Sequence, residues 1–220
     1  MGATGINDSA LGFISGPSVS VWFMTSVLNL FMEDTRGRFN NDLIVATGPY
    51  IDRNRNELIT VFLTNPDLKR KKWLFMVDND MVFKPQDVWD LFSFADRSPG
   101  IYAAPYLQEN EVLTCGPWDT QEPGKFKHMT VLPTVPTQVG VVATGFTLIH
   151  REVLEVLGNQ SFTVNSSLQS EDVGFCWRAH QAGYDPWIIP TSRPGHIKQF
   201  VLHTDGIRNV VGEDMNLVAV

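Results

Sequence analysis

Two kinds of apolar spacing alternate along the chain. Residues 19–24 (VSVWFM), Leu43–Thr47 (LIVAT) and 73–77 (WLFMV) are short runs rich in β-branched and aromatic side chains, the composition of strands buried on both faces. Between them apolar residues recur at helical spacing. Val27, Leu28 and Phe31 predict a helix over 25–31, and Leu58, Val61 and Phe62 predict one over 54–64, closed by Asn65-Pro66. Pro85 suits a first helical turn, and Val88, Leu91, Phe92 and Ala95 then follow the i, i+3, i+4, i+7 pattern of an amphipathic helix.

A short strand is predicted at 101–104, after which the rhythm breaks. Residues 107–138 hold Pro117, Pro123, Pro133 and Pro136 with Gly116 and Gly124, and read as loops with a hairpin passing over the sheet edge. Regular spacing resumes with a strand at 139–149 and a helix over Arg151–Leu157, stopped by Gly158. A second helix at 171–182 is capped by Ser170 and ended by Gly183, and a last strand lies at 187–189. The tail from Thr191 is loop-rich. Strands alternating with helices predict an α/β fold: a mostly parallel sheet with helices on both faces and one loop/hairpin insertion.

Composition narrows the class. Of 220 residues 43% are hydrophobic, enough for a full core in one domain. The net charge is −7, from 24 acidic and 17 basic residues, which argues against extended binding along a nucleic-acid duplex. The local basic run Lys69-Arg70-Lys71-Lys72 reads as a solvated linker between helix and strand. Two distant cysteines, Cys115 and Cys176, predict ordinary thiols rather than a disulfide or zinc framework. With no apolar run of about 18 residues and no leader pattern, no membrane span is expected and a cytoplasmic location follows.

The sharpest chemical signal is Asp78-Asn79-Asp80, directly after the 73–77 strand. Ligands of open α/β sheets bind outside the C-terminal ends of strands. Residues two apart on a strand point the same way, so Asp78 and Asp80 are expected side by side as a hard oxygen site for Mg²⁺ or Mn²⁺ under a diphosphate. Ser170-Glu171-Asp172 opens a helix. Capping explains it alone, but a carboxylate there can also serve as a general base, one whose pKa the helix dipole should lower. His196 is a candidate third metal ligand on a late loop, with His203 a weaker one. Arg55 offers a planar fork for donor phosphates. Gly145, inside an apolar strand, marks a bulge or a close approach of ligand or backbone.

Taken in order, Thr25-Ser26, Arg55-Asn56-Glu57-Leu58, Val77-Asp78-Asn79-Asp80, Gly145-Phe146, Ser170-Glu171-Asp172 and a late histidine resemble the glycosyltransferases of the GT-A fold. The likeness is to the compact family-2-like enzymes common in bacteriophages and bacteria. It spans about 18–198, which would be the core of a single Rossmann-like domain over 1–220, with 199–220 as a tail. It implies transfer of a sugar from a nucleoside-diphosphate sugar, a UDP-sugar by family habit, to an acceptor hydroxyl with inversion. Thr25, Ser26, Arg55, Asp78, Asn79, Asp80 and Gly145 would bind the nucleotide sugar, and Asp80, His196 and Asp78 the metal. Asp172 would be the base, Glu171 would shape the site, and Trp177 would touch the acceptor. The ending Phe23-Met24-Thr25-Ser26 departs from the family's usual Pro-x-Tyr-Asn-like first-strand ending.

The acceptor stays open at this point: a modified DNA base if the chain is phage-encoded, or a saccharide, lipid or protein. Two rival readings come from other classes. A haloacid-dehalogenase-type phosphatase also places D-x-D after an apolar strand and uses its first Asp as nucleophile with Mg²⁺. A non-catalytic scaffold that binds nucleotide sugars would retain the same residues. No G-x-G-x-x-G follows the first predicted strand, which disfavours a dinucleotide-binding domain.

Overall fold

The computed structural model describes residues 6–108, 112–164 and 170–198, and the backbone of 200–203 and 206–209. In chain order the elements are β1 (Ser9–Ser15), α1 (Val21–Glu33), β2 (Leu43–Thr47), α2 (Ile51–Thr64), β3 (Trp73–Asp78), β4 (Met81–Val82), α3 (Pro85–Ala95) and β5 (Ile101–Ala103). Then come β6 (Cys115–Gly116), β7 (Thr137–Gln138), β8 (Val141–Val142), β9 (Phe146–His150), α4 (Arg151–Leu157), α5 (Glu171–Gln181), β10 (Trp187–Ile188), β11 (Gly195–His196), β12 (Phe200–His203) and β13 (Gly206–Asn209).

A seven-stranded sheet runs β2-β1-β3-β9-β5-β10-β7. Strands β2, β1, β3, β5 and β10 point one way, and β9 and β7 run against them. The mixed α/β architecture with a mostly parallel sheet is therefore as the spacing predicts, with an antiparallel strand set into its middle. Alternation along the strands sorts side chains into two cores. Ala10, Ile14, Leu74, Met76 and Ile149 face α2, α4 and α5, whereas Leu11, Phe13, Phe75, Val77 and Leu148 face α1 and α3.

The start of the chain differs from the sequence expectation. Residues 19–24 are not a strand, and the core begins at Ser9 rather than near residue 18. The first strand is SALGFIS, buried at every position, paired parallel to both β2 and β3. Its Ser, Ala and Gly residues lower its apolar contrast, so the bulkier VSVWFM stands out more in the sequence. That segment is helical because Ser20 caps it, accepting from the backbone N–H of Trp22. Phe23, Val27 and Leu30, at i, i+4 and i+7, form the buried stripe, while Val21, Trp22, Leu28 and Met32 face outward.

Two further expectations change. The 139–149 strand is two strands, β8 and β9, separated at Ala143-Thr144-Gly145, because β8 leaves the sheet to pair with β6 of the excursion. Lys71 is not solvated: it is buried and held by Asn7 and Asp42. Both cysteines are free and buried. Among the described residues no helix is long and apolar enough to cross a membrane.

Val21 is the first helical residue, where a missing N–H costs nothing, and Ser20 already has φ −63° and ψ 137°, which proline demands of the residue before it. Val21→Pro should therefore leave the melting temperature within a few degrees of wild type. Loss of the folded state in that variant would show that the segment is a strand.

Candidate functional site

The C-terminal end of β3 is where the chemistry gathers. Asp78 is the last residue of β3, opposite Ile14 of β1, and its backbone N–H donates to the carbonyl of Gly145 at 2.9 Å. Three strands thus end around one carboxylate. Arg55 of α2 reaches it with Nη2, at 3.2 and 2.9 Å to the two oxygens. The other arm, Nη1, donates to Glu171 Oε1 at 2.9 Å and to Asp172 Oδ1 at 2.5 Å, both in the first turn of α5. The guanidinium lies 5.5 Å from the Phe162 ring centroid, and Phe162 stacks on Phe175 at 4.4 Å. Arg55 is 2% exposed, and its Nε is sealed without a partner.

The three carboxylates carry charge −3 against +1, so the cluster is left with −2 when all ionise. The consequence falls on Asp172. Burial, then the charges of Glu171 and Asp78, push its pKa up to about 6, against the downward pull of Arg55 and of the Thr144 hydroxyl that donates to it. The shift is upward, opposite to the lowering expected from the helix dipole, with desolvation its largest cause. Oδ2 of Asp172 accepts from no donor among the described residues and is the oxygen left for proton transfer.

Asp80 turns elsewhere. β3 stops at Asp78, and Asn79 and Asp80 form a turn, so the two-residue strand alternation does not extend to Asp80. The turn therefore breaks the expected side-by-side arrangement, and both oxygens of Asp78 are engaged by Arg55 Nη2. Instead β11 pairs antiparallel with β4, setting His196 against Met81, and Ile197 N–H donates to the Asp80 carbonyl at 2.7 Å. This brings His196 Nε2 to 3.0 Å from Asp80 Oδ2, while His196 Nδ1 lies 3.0 Å from the Leu107 carbonyl.

A carbonyl can only accept, so Nδ1 carries a proton. Nε2 then faces a carboxylate and needs a proton, or a cation, between them. Burial lowers the His196 pKa, but the bonds to Asp80 and Leu107 outweigh it and the net shift is upward. Asp80 is lowered: burial raises it, and the His196 bond and charge more than reverse that. The ion pair thus stabilises the fold between the two titrations. That stability fades as pH falls through the depressed Asp80 pKa or rises through the elevated His196 pKa.

Asp80 Oδ1 is buried with no hydrogen-bond partner. Among the described residues no three His, Cys, Asp or Glu side chains converge as a metal-holding group. Of the predicted metal ligands, Asp80 and His196 are the two that the structure brings into contact. Mg²⁺-type sites ordinarily use one or two carboxylates and complete their shell with substrate phosphates and water. The His203 side chain lies outside the described residues.

Tyr106, which the sequence reading missed, stands between the two halves. It is 8% exposed; its hydroxyl accepts from Gly145 N–H at 3.2 Å, and its ring packs edge-on against His196 at 5.2 Å. Burial and the charges of Asp78 and Asp172 hold its pKa well above the usual phenol value. No spacing rule points to it, since it is one aromatic in a loop. Gly145 is a close approach: a Cβ there would sit 2.5 Å from the Tyr106 hydroxyl and 2.7 Å from Asp78 Oδ2.

The remaining candidates fall in other roles. Thr25 and Ser26 do not end a strand. Both lie within α1, where Thr25 bonds the Val21 carbonyl and buried Ser26 bonds the Trp22 carbonyl and accepts from Phe83 N–H. The first strand ends instead at Ser15, and Asn79 Nδ2 donates to Ser15 Oγ at 3.4 Å and the Ser18 carbonyl at 3.2 Å. Asn54 and Asn56 are buried and bond Gly48 and Phe162. Trp177 packs edge-on against Trp118 of the excursion at 5.2 Å.

Two predictions follow from this geometry. Gly145→Ala should cost about 1–3 kcal/mol of stability, as overpacking does, read by denaturant melts. Adding Tyr106→Phe should recover part of the loss, and no recovery would refute the contact. Divalent-ion binding must displace the proton between His196 and Asp80. Mn²⁺ affinity in the presence of a nucleoside diphosphate should therefore rise as pH increases through the His196 titration, which lies above that of an ordinary histidine. The rise should be absent in His196→Gln, and a pH-independent affinity in wild type would discard the pair as ligands.

No family model and no curated protein matches the chain. Among solved structures it is similar to the crystal structure of A197 from STIV, with a TM-score of 0.62 at 16% identity over 91% of this chain and 93% of that one. At that identity the likeness is one of fold.

Proposed function

We propose that the chain is a metal-dependent glycosyltransferase of the GT-A type, moving a sugar from a nucleoside-diphosphate sugar to an acceptor hydroxyl. One observation carries the reading: at the end of β3, Asp78 and Asp80 separate into two acidic centres of different chemistry. Around Arg55, burial keeps Asp172 poised near pH 6 with one oxygen unoccupied. Beside it, Asp80 and His196 are bonded to each other at 3.0 Å with the second Asp80 oxygen buried and unpartnered, which supports them as the pair that would hold a divalent ion.

Asp172 takes the proton from the attacking hydroxyl, and a pKa near 6 makes it a better acceptor than an ordinary carboxylate while still ionised at neutral pH. Glu171 and Arg55 fix its position. Ser15 at the end of β1, with Ser18 and the Asn79 side chain bonded beside it, replaces Thr25 and Ser26 as the candidate nucleoside contact. Asp80 and His196 are the residues that would hold a divalent ion, which when bound would supply Lewis-acid stabilisation to the departing diphosphate. A uridine base and an inverting outcome are carried over from the family resemblance. The phosphatase alternative requires a free Asp78 nucleophile, and Arg55 occupies both of its oxygens.

Thermal melting against a panel of nucleoside-diphosphate sugars, with and without Mn²⁺, tests the reading. Saturating donor at about 100 times its dissociation constant adds about 2.7 kcal/mol. That should raise the midpoint by roughly 5–10 °C for a domain of this size, only when Mn²⁺ is present. Asp80→Ala should abolish the shift. Asp172→Asn should keep it and lose transfer by at least about a hundredfold. A folded wild-type protein that no donor shifts, or an Asp172→Asn enzyme of near-normal turnover, would overturn the assignment.

A further inference from the structure

On the other side of Tyr106 and His196 from the Arg55 cluster lies a cleft of about 1020 Å³, walled by the segments 105–108, 112–113, 128–132 and 193–198. Its size suits a ligand as large as a small-molecule substrate or larger. Two properties set it apart. Its walls carry Leu107, Leu113, Met129 and Leu132, so it has an extensive apolar surface. Its charged side chains are Arg193 and Lys198, and among the described residues no carboxylate lines it, in a chain of net charge −7.

The cations buried in the fold are committed to carboxylates: Arg38 to Asp8 and Asp96, Arg55 to three acids, and Lys71 to Asp42. Arg193 and Lys198 form no ion pair among the described residues, although the Lys198 charge acts on Asp80 from a distance. Arg193 is steadied through Nε on the Pro190 carbonyl at 3.1 Å, which leaves its terminal nitrogens for a ligand. His128 is likewise fixed in the wall, with Nδ1 2.7 Å from the Leu113 carbonyl; that nitrogen must be the protonated one, so Nε2 of the neutral ring is an acceptor for a hydroxyl.

We propose that this cleft binds a phosphate monoester with an apolar body, its phosphate on Arg193 and Lys198 and its body along the leucine and methionine wall. Tyr106 lines the cleft and adjoins the Asp78–Asp172 cluster, and His196 lines it from the Asp80 side, so a ligand filling the cleft lies beside both centres. Resting on the glycosyl-transfer reading, this ligand is the acceptor, because the end of β1 and the Asp80–His196 pair belong to the donor.

Calorimetric titration without donor or metal tests the cleft directly, using 1-naphthyl phosphate, 1-naphthol and inorganic phosphate as probes. The naphthyl phosphate should bind at least about tenfold more tightly than either of the others. The double variant Arg193→Gln/Lys198→Gln should lose that advantage without a change in melting temperature. Leu107→Glu, at a side chain 49% exposed and therefore safe for the fold, should weaken binding similarly. Equal binding by wild type and both variants, or inorganic phosphate binding as well as the ester, would overturn the proposal. Donor-plus-Mn²⁺ melting on the same samples separates the two ideas. A donor shift without naphthyl phosphate binding removes the cleft assignment alone. Ester binding without any donor shift removes the transferase reading and leaves the cleft.

Discussion

One buried guanidinium holds the functional end of this molecule together. Arg55 comes from α2, and the carboxylates that it binds come from β3 and α5, so a single side chain joins three elements. The α2 helix can place an arginine there because Asn54 and Asn56 on either side are also buried and bonded, fixing the helix to the β2–α2 turn and to the 159–164 segment. Without the arginine three carboxylates would face one another with little water; breaking a buried ion pair by removing one partner typically costs about 3–5 kcal/mol. With it the cluster still holds excess negative charge, which adds to burial in lifting the Asp172 pKa. The same arrangement that secures the fold therefore prepares a proton acceptor.

Division of labour between the two acidic centres depends on how β3 ends. Had the strand continued, Asp78 and Asp80 would share one face. The turn at Asn79 sends Asp80 to the β4–β11 ribbon, where backbone pairing delivers His196 from a segment far along the chain. Tyr106 then sits as a partition, hydrogen-bonded on one side and packed against imidazole on the other. The absence of a side chain at Gly145 is what allows the tyrosine hydroxyl and Asp78 to approach the same strand end.

Much of this was legible in the sequence wherever one element's own periodicity decides its structure. Pro85–Ala95 follows its pattern residue for residue, and Leu43–Thr47 is a strand with the predicted bounds, although as an edge strand it exposes Leu43 and Val45 instead of burying both faces. The start of the chain misled because strand β1 is built of small residues, buried by neighbours rather than by its own bulk, while α1 exposes Val21, Trp22, Leu28 and Met32 on its outer side. Apolar content then favoured the wrong segment. For the site, Asp78, Asp80, Asp172, Arg55 and His196 stand out as residue types at strand and helix ends. Which carboxylate meets which cation is settled by tertiary pairing, and local spacing cannot encode it. Arg55 was expected to face a ligand and instead faces three acids. Tyr106 and the Arg193–Lys198 wall gave no local signal, because their meaning comes from segments brought together across the cleft.

The antiparallel strand in the middle of the sheet also constrains how the molecule can be made. β9 lies between β3 and β5, both of which leave the ribosome well before it. Until residue 150 emerges, the nascent sheet has a vacant slot flanked by two exposed edges, with Phe75 and Tyr102 uncovered by their eventual partner Leu148. Closing that slot demands insertion of a late strand across a long loop, which slows folding and leaves sticky edges open meanwhile. The chain accordingly has no independently completed N-terminal half. A cut within the 107–138 excursion would yield two fragments that can rebuild the sheet only by threading one strand of the second between two strands of the first.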